Sequence, residues 1–402
     1  MINRKRKPTP PDALQGVIRA IFLISLPFGI LHFALPIYGR SIGADALQIG
    51  LFFSAFSIMT VLLRPIVGVG LDRYGRKPFF VLGVLIYAAS MFMFAGIDDV
   101  WGIVVARLTQ GIASSFLWLS ASAITADVSR SDKRGYSFGR VEQSASQGAI
   151  LGTFIGFAVL LGLIDAISGT SDDSFATRWF LLFGFFGVVG LYAAFRAWRH
   201  IVETAPEVQD RENQAINWSR TWILLLMVTI VTASAWSMVS PIIMIYLQEK
   251  LAAGIYELAL AYLPAALVGA LLPSRLGVMA DRFGRKPMMV ASMAVAAVGS
   301  FVIPALNSLV ALSALWGLQA LSFAAGDPAE KALVSDITGS DQRGRAYGIY
   351  LMAAGIGATV GPLLGGWLYK NIAPEVPFYI NGVILTFSLV ILGVFLKETH
   401  TV

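Results

Sequence analysis

Apolar and polar positions alternate along this chain on a long period. Stretches of twenty or more mostly apolar residues are separated by short polar segments. The apolar stretches read as 15–39, 46–70, 77–97, 100–127, 136–164 and 177–198, then 219–247, 256–280, 286–306, 308–336, 343–370 and 375–396. At 1.5 Å rise per residue, a helix over any of them spans a hydrocarbon core of about 30 Å. The pattern therefore predicts twelve membrane-crossing helices, six before a polar segment and six after it. That segment, Arg199 to Arg220, carries Glu203, Pro206, Glu207, Asp210, Arg211 and Glu212 and has little apolar periodicity. The expected division is a first six-helix bundle with its tail over 1–198, a linker over 199–218 and a second bundle over 219–402.

The second six stretches repeat the first. Gly68-Val-Gly-Leu-Asp72-Arg73-Tyr-Gly75-Arg76-Lys77-Pro78 returns 209 residues later as Gly277-Val-Met-Ala-Asp281-Arg282-Phe-Gly284-Arg285-Lys286-Pro287. At the same offset Gln110 meets Gln319, Asp127 meets Asp336, Arg134 meets Arg343, Gly139 meets Gly348 and Gly152 meets Gly361. Agreement at one offset makes the chain two copies of one unit.

Composition agrees with membrane placement: 56% of the residues are hydrophobic, only 13% are charged, and mean hydropathy is +0.72. A soluble domain cannot cover its surface with so little polarity. The net charge of +6 points to topology rather than nucleic acid, because the basic residues collect in alternate loops. Those on the side of the N-terminus hold Arg73, Arg76, Lys77, Arg130, Lys133, Arg134, Arg282, Arg285, Lys286, Arg343 and Arg345, whereas the opposite loops hold only Arg40, Arg178, Lys250 and Lys370. Both termini and the linker are expected to be cytoplasmic in an inner (cell) membrane. The first apolar stretch follows Arg4-Lys5-Arg6-Lys7 but has span length and no small-residue cleavage site, so it reads as a retained helix. With no cysteine and three scattered histidines, no thiol chemistry, disulfide framework or histidine metal cluster is expected. No cofactor motif is present, and an enzyme reading has little support.

The repeated stretch, G-x-x-x-D-R-x-G-R-K after the second and eighth spans, resembles the signature of the major facilitator superfamily of secondary transporters. The resemblance implies an all-α fold of two pseudo-symmetric six-helix bundles around a central cavity, moving a small-molecule substrate by alternating access. It implies that Gly68, Asp72, Arg73, Gly75, Arg76 and Lys77, with Gly277, Asp281, Arg282, Gly284, Arg285 and Lys286, form cytoplasmic gate loops. Asp127 with Arg134, and Asp336 with Arg343, resemble a second layer of gate charges. Arg107-Leu-Thr-Gln110-Gly111 resembles a motif of proton-coupled members. The glycine series Gly357, Gly361, Pro362, Gly365 and Gly366 resembles the antiporter signature, although drug/proton antiporters carry it on the fifth span and here it falls on the eleventh. The fifth span keeps Gly139, Gly148 and Gly152 but has Thr153 in place of the proline. In either place such residues also serve close helix packing.

Ionisable groups inside spans are costly and mark functional candidates. Arg107 keeps its charge and can hold an anionic group or a carboxylate, or simply bond neighbouring helices. In Asp327-Pro-Ala-Glu330-Lys331 an acid and a base four apart share one helix face, leaving a second acid for coupling; a self-neutralising local pair is the alternative. Glu142 and His32 complete the candidates for proton or substrate contact, each with a plainer reading as a paired or packed residue. The expected function is proton-coupled export of an amphiphilic or drug-like molecule by a monomer in the lipid bilayer. Nutrient uptake or facilitated diffusion is the alternative, and a non-transporting sensor or scaffold the third reading.

Overall fold

The computed structural model describes residues 10–129, 134–160, 162, 175–204, 218–272, 285–338 and 343–395. All regular structure among them is helical. The helices are α1 Pro10–Ser41, α2 Ala46–Tyr74, α3 Arg76–Gly96, α4 Val100–Val128, α5 Arg134–Leu160, α6 Phe175–His200, α7 Arg220–Val239, α8 Ile243–Leu251, α9 Ile255–Leu271, α10 Arg285–Val302, α11 Leu309–Thr338, α12 Arg343–Asn371 and α13 Val376–Phe395. The seventh apolar stretch, expected to be continuous over 219–247, is two helices. Pro241 sits at the break, where a missing N–H and a fixed φ oppose continuation, and Ser240 to Ile242 form the turn. Counting α7 and α8 as one crossing leaves twelve.

Ten crossings are apolar enough to span a membrane on composition alone. The ninth helix contributes a shorter apolar core, Tyr256–Gly269. The fifth, α5, is long enough but carries Glu142, Gln143, Ser144, Ser146 and Gln147 in its first half. Its register sorts these residues: Val141, Ser144, Ala145 and Gly148 are buried, while Glu142, Gln143, Ser146 and Gln147 are exposed. A polar exposed stripe on a membrane helix faces water or protein, because lipid offers no partner for it.

The described residues gather into two compact units. The first holds residues up to Leu35 and from Ile58 to Arg211; the second holds Pro36–Ser57 and the chain from Glu212. In the first unit α3 packs on α4 and α6; in the second, α10 packs on α11 and α13. These are the same pairs one repeat apart. The buried face of α5 lies on α1: a side chain at Gly148 or Gly152 would strike the backbone carbonyls of Phe22 or Leu26. In the second unit Gly357 and Gly361 of α12 meet the Ile230 and Ser234 carbonyls of α7, and Gly365 meets that of Met238. Small residues let each helix pair approach at backbone distance, so van der Waals packing replaces the hydrophobic drive that lipid cannot supply. The outward faces carry large apolar side chains instead, such as Phe180, Phe185, Val188 and Phe195 on α6.

Candidate functional site

Three constellations emerge. The first lies where the repeated basic stretch joins α2 to α3. Gly75 has φ 96°, a left-handed conformation that any side chain would strain, and its Cα faces the Glu203 carboxylate. That sharp turn brings the first N–H groups of α3 onto Glu203, just beyond α6: Arg76 and Lys77 donate to its Oε1 and Oε2 at 2.7 and 3.2 Å. Those donors are otherwise orphaned, and a carboxylate also complements the helix dipole. Arg76 is buried. Its Nε donates to Asp127 Oδ2 at 3.2 Å and its Nη1 to the Leu71 carbonyl at 2.7 Å, while Thr204 Oγ1 donates to the same Asp127 oxygen at 3.1 Å. One guanidinium thus ties the end of α2 to the end of α4, and one carboxylate ties the segment after α6 to the start of α3. Asp127 is engaged by Arg76. Arg73 and Tyr74 are exposed, with the Arg73 guanidinium 5.4 Å from the Tyr74 ring centre, and Gly68 is half-buried.

The second constellation is in the middle of the first unit. Arg107 Nη1 donates to Gln110 Oε1 at 2.6 Å, and Gln110 Nε2 donates to the Tyr87 hydroxyl at 3.0 Å. Arg107, Gln110 and Tyr87 are all buried. Tyr87 meets Phe28 edge to face at 5.6 Å, and Phe28 lies 6.2 Å from Trp118. His32, within the electrostatic reach of Arg107, is set deep among the helices with part of its surface open, between buried Leu31 and Phe33. The cluster is a fixed cation set in a wall of aromatic rings, suited to hold a group with an acceptor or negative charge beside a flat apolar body. Tyr87 escaped the sequence reading because an uncharged tyrosine among apolar residues gives no signal until α3 and α4 are docked.

The third constellation is in the second unit, at the end opposite the basic loops. Arg40 Nη2 pairs with Glu249 Oε1 at 2.8 Å, and the Tyr369 hydroxyl donates to Glu249 Oε2 at 2.7 Å. Lys370 Nζ pairs with Asp45 Oδ2 at 2.7 Å. Asp45 also caps α2 in a reciprocal box: Gln48 N–H donates to Asp45 Oδ1, and Asp45 N–H donates to Gln48 Oε1, both at 2.9 Å. Partial burial opposes the charge on Asp45, but the hydrogen bond from Lys370, the Gln48 and Leu47 amides and the ammonium charge outweigh it and lower its pKa. Below these pairs Ser54 Oγ donates to the Thr359 carbonyl at 2.7 Å, Gly50 abuts the Pro362 carbonyl, and Gly366 abuts that of Ala46. Arg40 and Lys370, read from the sequence only as markers of orientation, are therefore parts of a latch on a close-packed seam.

Other candidates fall outside the description. Gly277, Asp281, Arg282 and Gly284 are not among the described residues. Asp72, Arg134, Arg285, Asp327, Glu330, Lys331, Asp336 and Arg343 lie on described helices, but their side chains do not belong to the description. Among the described residues no group of three or more histidine or acidic side chains could hold a metal ion.

A helical chain of two repeated units, carrying basic loops and buried polar groups within its spans, has the marks of a membrane transporter. The chain belongs to the Major Facilitator Superfamily, whose family model matches residues 18–276 and 225–402. It is 24% identical over 384 residues to multidrug resistance protein 1 of Bacillus subtilis (strain 168), covering 94% of each chain. It is 26% identical over 368 residues to the quinolone resistance protein NorA of Staphylococcus aureus (strain MRSA252), covering 89% of this chain and 90% of that one. Its fold matches a bacterial homologue of the human lysosomal transporter Spinster with a TM-score of 0.78 at 15% identity, covering 96% of this chain and 98% of the other. The human organic anion transporter MFSD10 (TETRAN) superposes with a TM-score of 0.68 at 17% identity, covering 96% of this chain and all of the other. The all-helical major facilitator fold and multi-pass membrane placement, with a small molecule as cargo, follow.

Proposed function

We propose that this transporter exports amphiphilic, drug-like molecules in exchange for protons. The observation that carries the reading is the Arg107–Gln110–Tyr87 relay with Phe28 and Trp118 beside it: a buried cation and hydrogen-bonding groups against aromatic rings. Such a wall takes a flat apolar body by contact area and its polar end by charge. Two relatives aligned over almost their whole length bear names of drug resistance, one of them to quinolones. Coupling needs a group protonated in one access state and released in the other, the role proposed for Asp327 or Glu330, with Glu142 on the polar stripe of α5 as the reserve. In this reading both termini and the 199–218 linker are cytoplasmic, the chain acts as a monomer in the cell membrane, and Asp72 and Asp281 are gate charges.

The test is flux into proteoliposomes carrying an imposed proton gradient and an internal pH dye. A quinolone added outside should enter inverted transporters and drain the gradient, and Arg107→Ala should abolish both signals. Quinolone movement indifferent to the gradient would replace exchange with facilitated diffusion, and no movement would reject the substrate class.

A further inference from the structure

We propose that an anionic glycerophospholipid of the leaflet facing the basic loops occupies a groove between α3 and α6. The inference needs only that the chain spans a membrane and is independent of the cargo. The groove has a volume of about 380 Å³ and is lined by Lys77, Pro78, Val81, Leu82 and Leu85 of α3 and by Trp198 of α6. The α3 residues recur at three- and four-residue spacing and so share one face. From Lys77 to Leu85 the helix rises about 12 Å, from its first turn towards the bilayer centre. Leu82 and Leu85 are well exposed, and Trp198 is exposed to 61%, so the groove opens on the flank of the first unit.

Its two ends differ in chemistry. The inner end is wholly apolar, as an acyl chain requires. The outer end carries two hydrogen-bond donors. The Lys77 backbone N–H is used by Glu203, but its ammonium enters no hydrogen bond or ion pair among the described residues. The same holds for the Trp198 indole N–H. Arg199 follows in the last turn of α6 with only the Phe195 ring beneath it, 5.7 Å from the guanidinium carbon. Glu203 has both oxygens on the N–H groups at the start of α3. A tryptophan and a lysine at the edge of the spans, above an apolar channel, match a phosphate headgroup and its tail. The surplus positive charge selects a lipid with net negative charge over a zwitterionic one.

The lining of the groove is not repeated in sequence in the second unit. The position 209 residues after Lys77 is Lys286, but Leu82 and Leu85 correspond to Ala291 and Ala294. The lipid would rest on the first turn of α3, which Glu203 caps, and so bears on the loop between α2 and α3.

The experiment uses the full chain in mixed micelles, titrated with phosphatidylglycerol or phosphatidylcholine brominated on the acyl chains. Bromine quenches nearby indoles, and the Trp198 share is the difference between wild type and Trp198→Phe. Phosphatidylglycerol should quench that share about fivefold more tightly than phosphatidylcholine, the selectivity expected of one interfacial cation. Lys77→Gln should bring the two lipids to parity, and Leu82→Trp, which fills the groove, should weaken both. Equal constants in the wild type, or a preference that survives Lys77→Gln, would overturn the proposal. Should Trp198→Phe not insert, native mass spectrometry reads the same contrast. Wild type and Lys286→Gln should retain a phosphatidylglycerol that Lys77→Gln loses, and equal retention by all three rejects the site.

Discussion

Breaking the latch at the end opposite the basic loops offers the sharpest test of what holds that seam of the second unit together. Asp45→Asn with Glu249→Gln removes both carboxylates while keeping their shapes. The Arg40 and Glu249 side chains are 51% and 43% exposed, and those of Lys370 and Asp45 are 47% and 34% exposed. Solvent screens pairs that open, so each contributes at most about 1 kcal/mol. The two pairs together contribute up to about 2 kcal/mol, since the Gln amide oxygen still accepts from Tyr369. At 1.4 kcal/mol per decade, that changes the population of the open seam by roughly thirtyfold. The chain has no cysteine, so a single Ser54→Cys is a clean reporter: Ser54 is 2% exposed and bonded to the Thr359 carbonyl in the closed seam. A membrane-impermeant maleimide should label it on the order of ten to thirty times faster in the double variant. Raising the salt to about 1 M should erase most of the difference, because the pairs are exposed. An unchanged labelling rate at low salt would show that the close contacts at Gly50 and Gly366 hold the seam by themselves.

Four further outcomes follow from the same geometry. The folded-state pKa of Asp45 is lowered, so its pairing with Lys370 is intact above the ordinary carboxylate value of about 3.9 and is lost as pH falls through the folded value. Ser54→Cys labelling should therefore show no contribution from Asp45 between pH 5 and 7 (roughly, on that reference) and accelerate only in stronger acid; acceleration already near neutrality would assign the effect to another group. Arg76→Ala leaves Asp127 in a largely buried place without its cation and should cost about 3–5 kcal/mol of thermal stability, against about 1–3 kcal/mol for Glu203→Gln. Thermal unfolding in detergent reads both, and equal losses would contradict the difference in burial. Gly152→Ala drives a methyl into the Leu26 carbonyl and should destabilise by about 1–3 kcal/mol. Gly139→Ala meets nothing within 4 Å and should stabilise α5 slightly on propensity; the reverse order would refute the α1–α5 packing. Arg107→Lys keeps the charge but loses the planar fork, so gradient-driven flux should fall substantially, and full activity would leave charge alone as the requirement.

Much of the architecture is written in the chain itself, for a reason particular to membranes. Lipid offers no hydrogen bonds, so each crossing must be a helix of nearly fixed length, and its hydropathy shows without knowledge of its neighbours. The duplicated unit was legible for the same local reason, since Gly68 to Lys77 and Gly277 to Lys286 are contiguous strings. Arg107 and Gln110 were visible because they stand one turn apart on one helix. Contacts between distant positions were not legible. Nothing in Val202-Glu203-Thr204 says that the carboxylate caps a helix more than a hundred residues earlier, or that Arg76 will take Asp127. Arg40 and Lys370 carried a count of loop charges; only the folded second unit sets Glu249 and Asp45 against them. The break in the seventh crossing lay in between: Pro241 was there to read, but a proline in a membrane helix can be absorbed as a kink. Hydropathy and repetition act residue by residue along the chain. Capping, ion pairing and the meeting of glycines with carbonyls depend on which helices dock and in what register, and only the tertiary structure decided that.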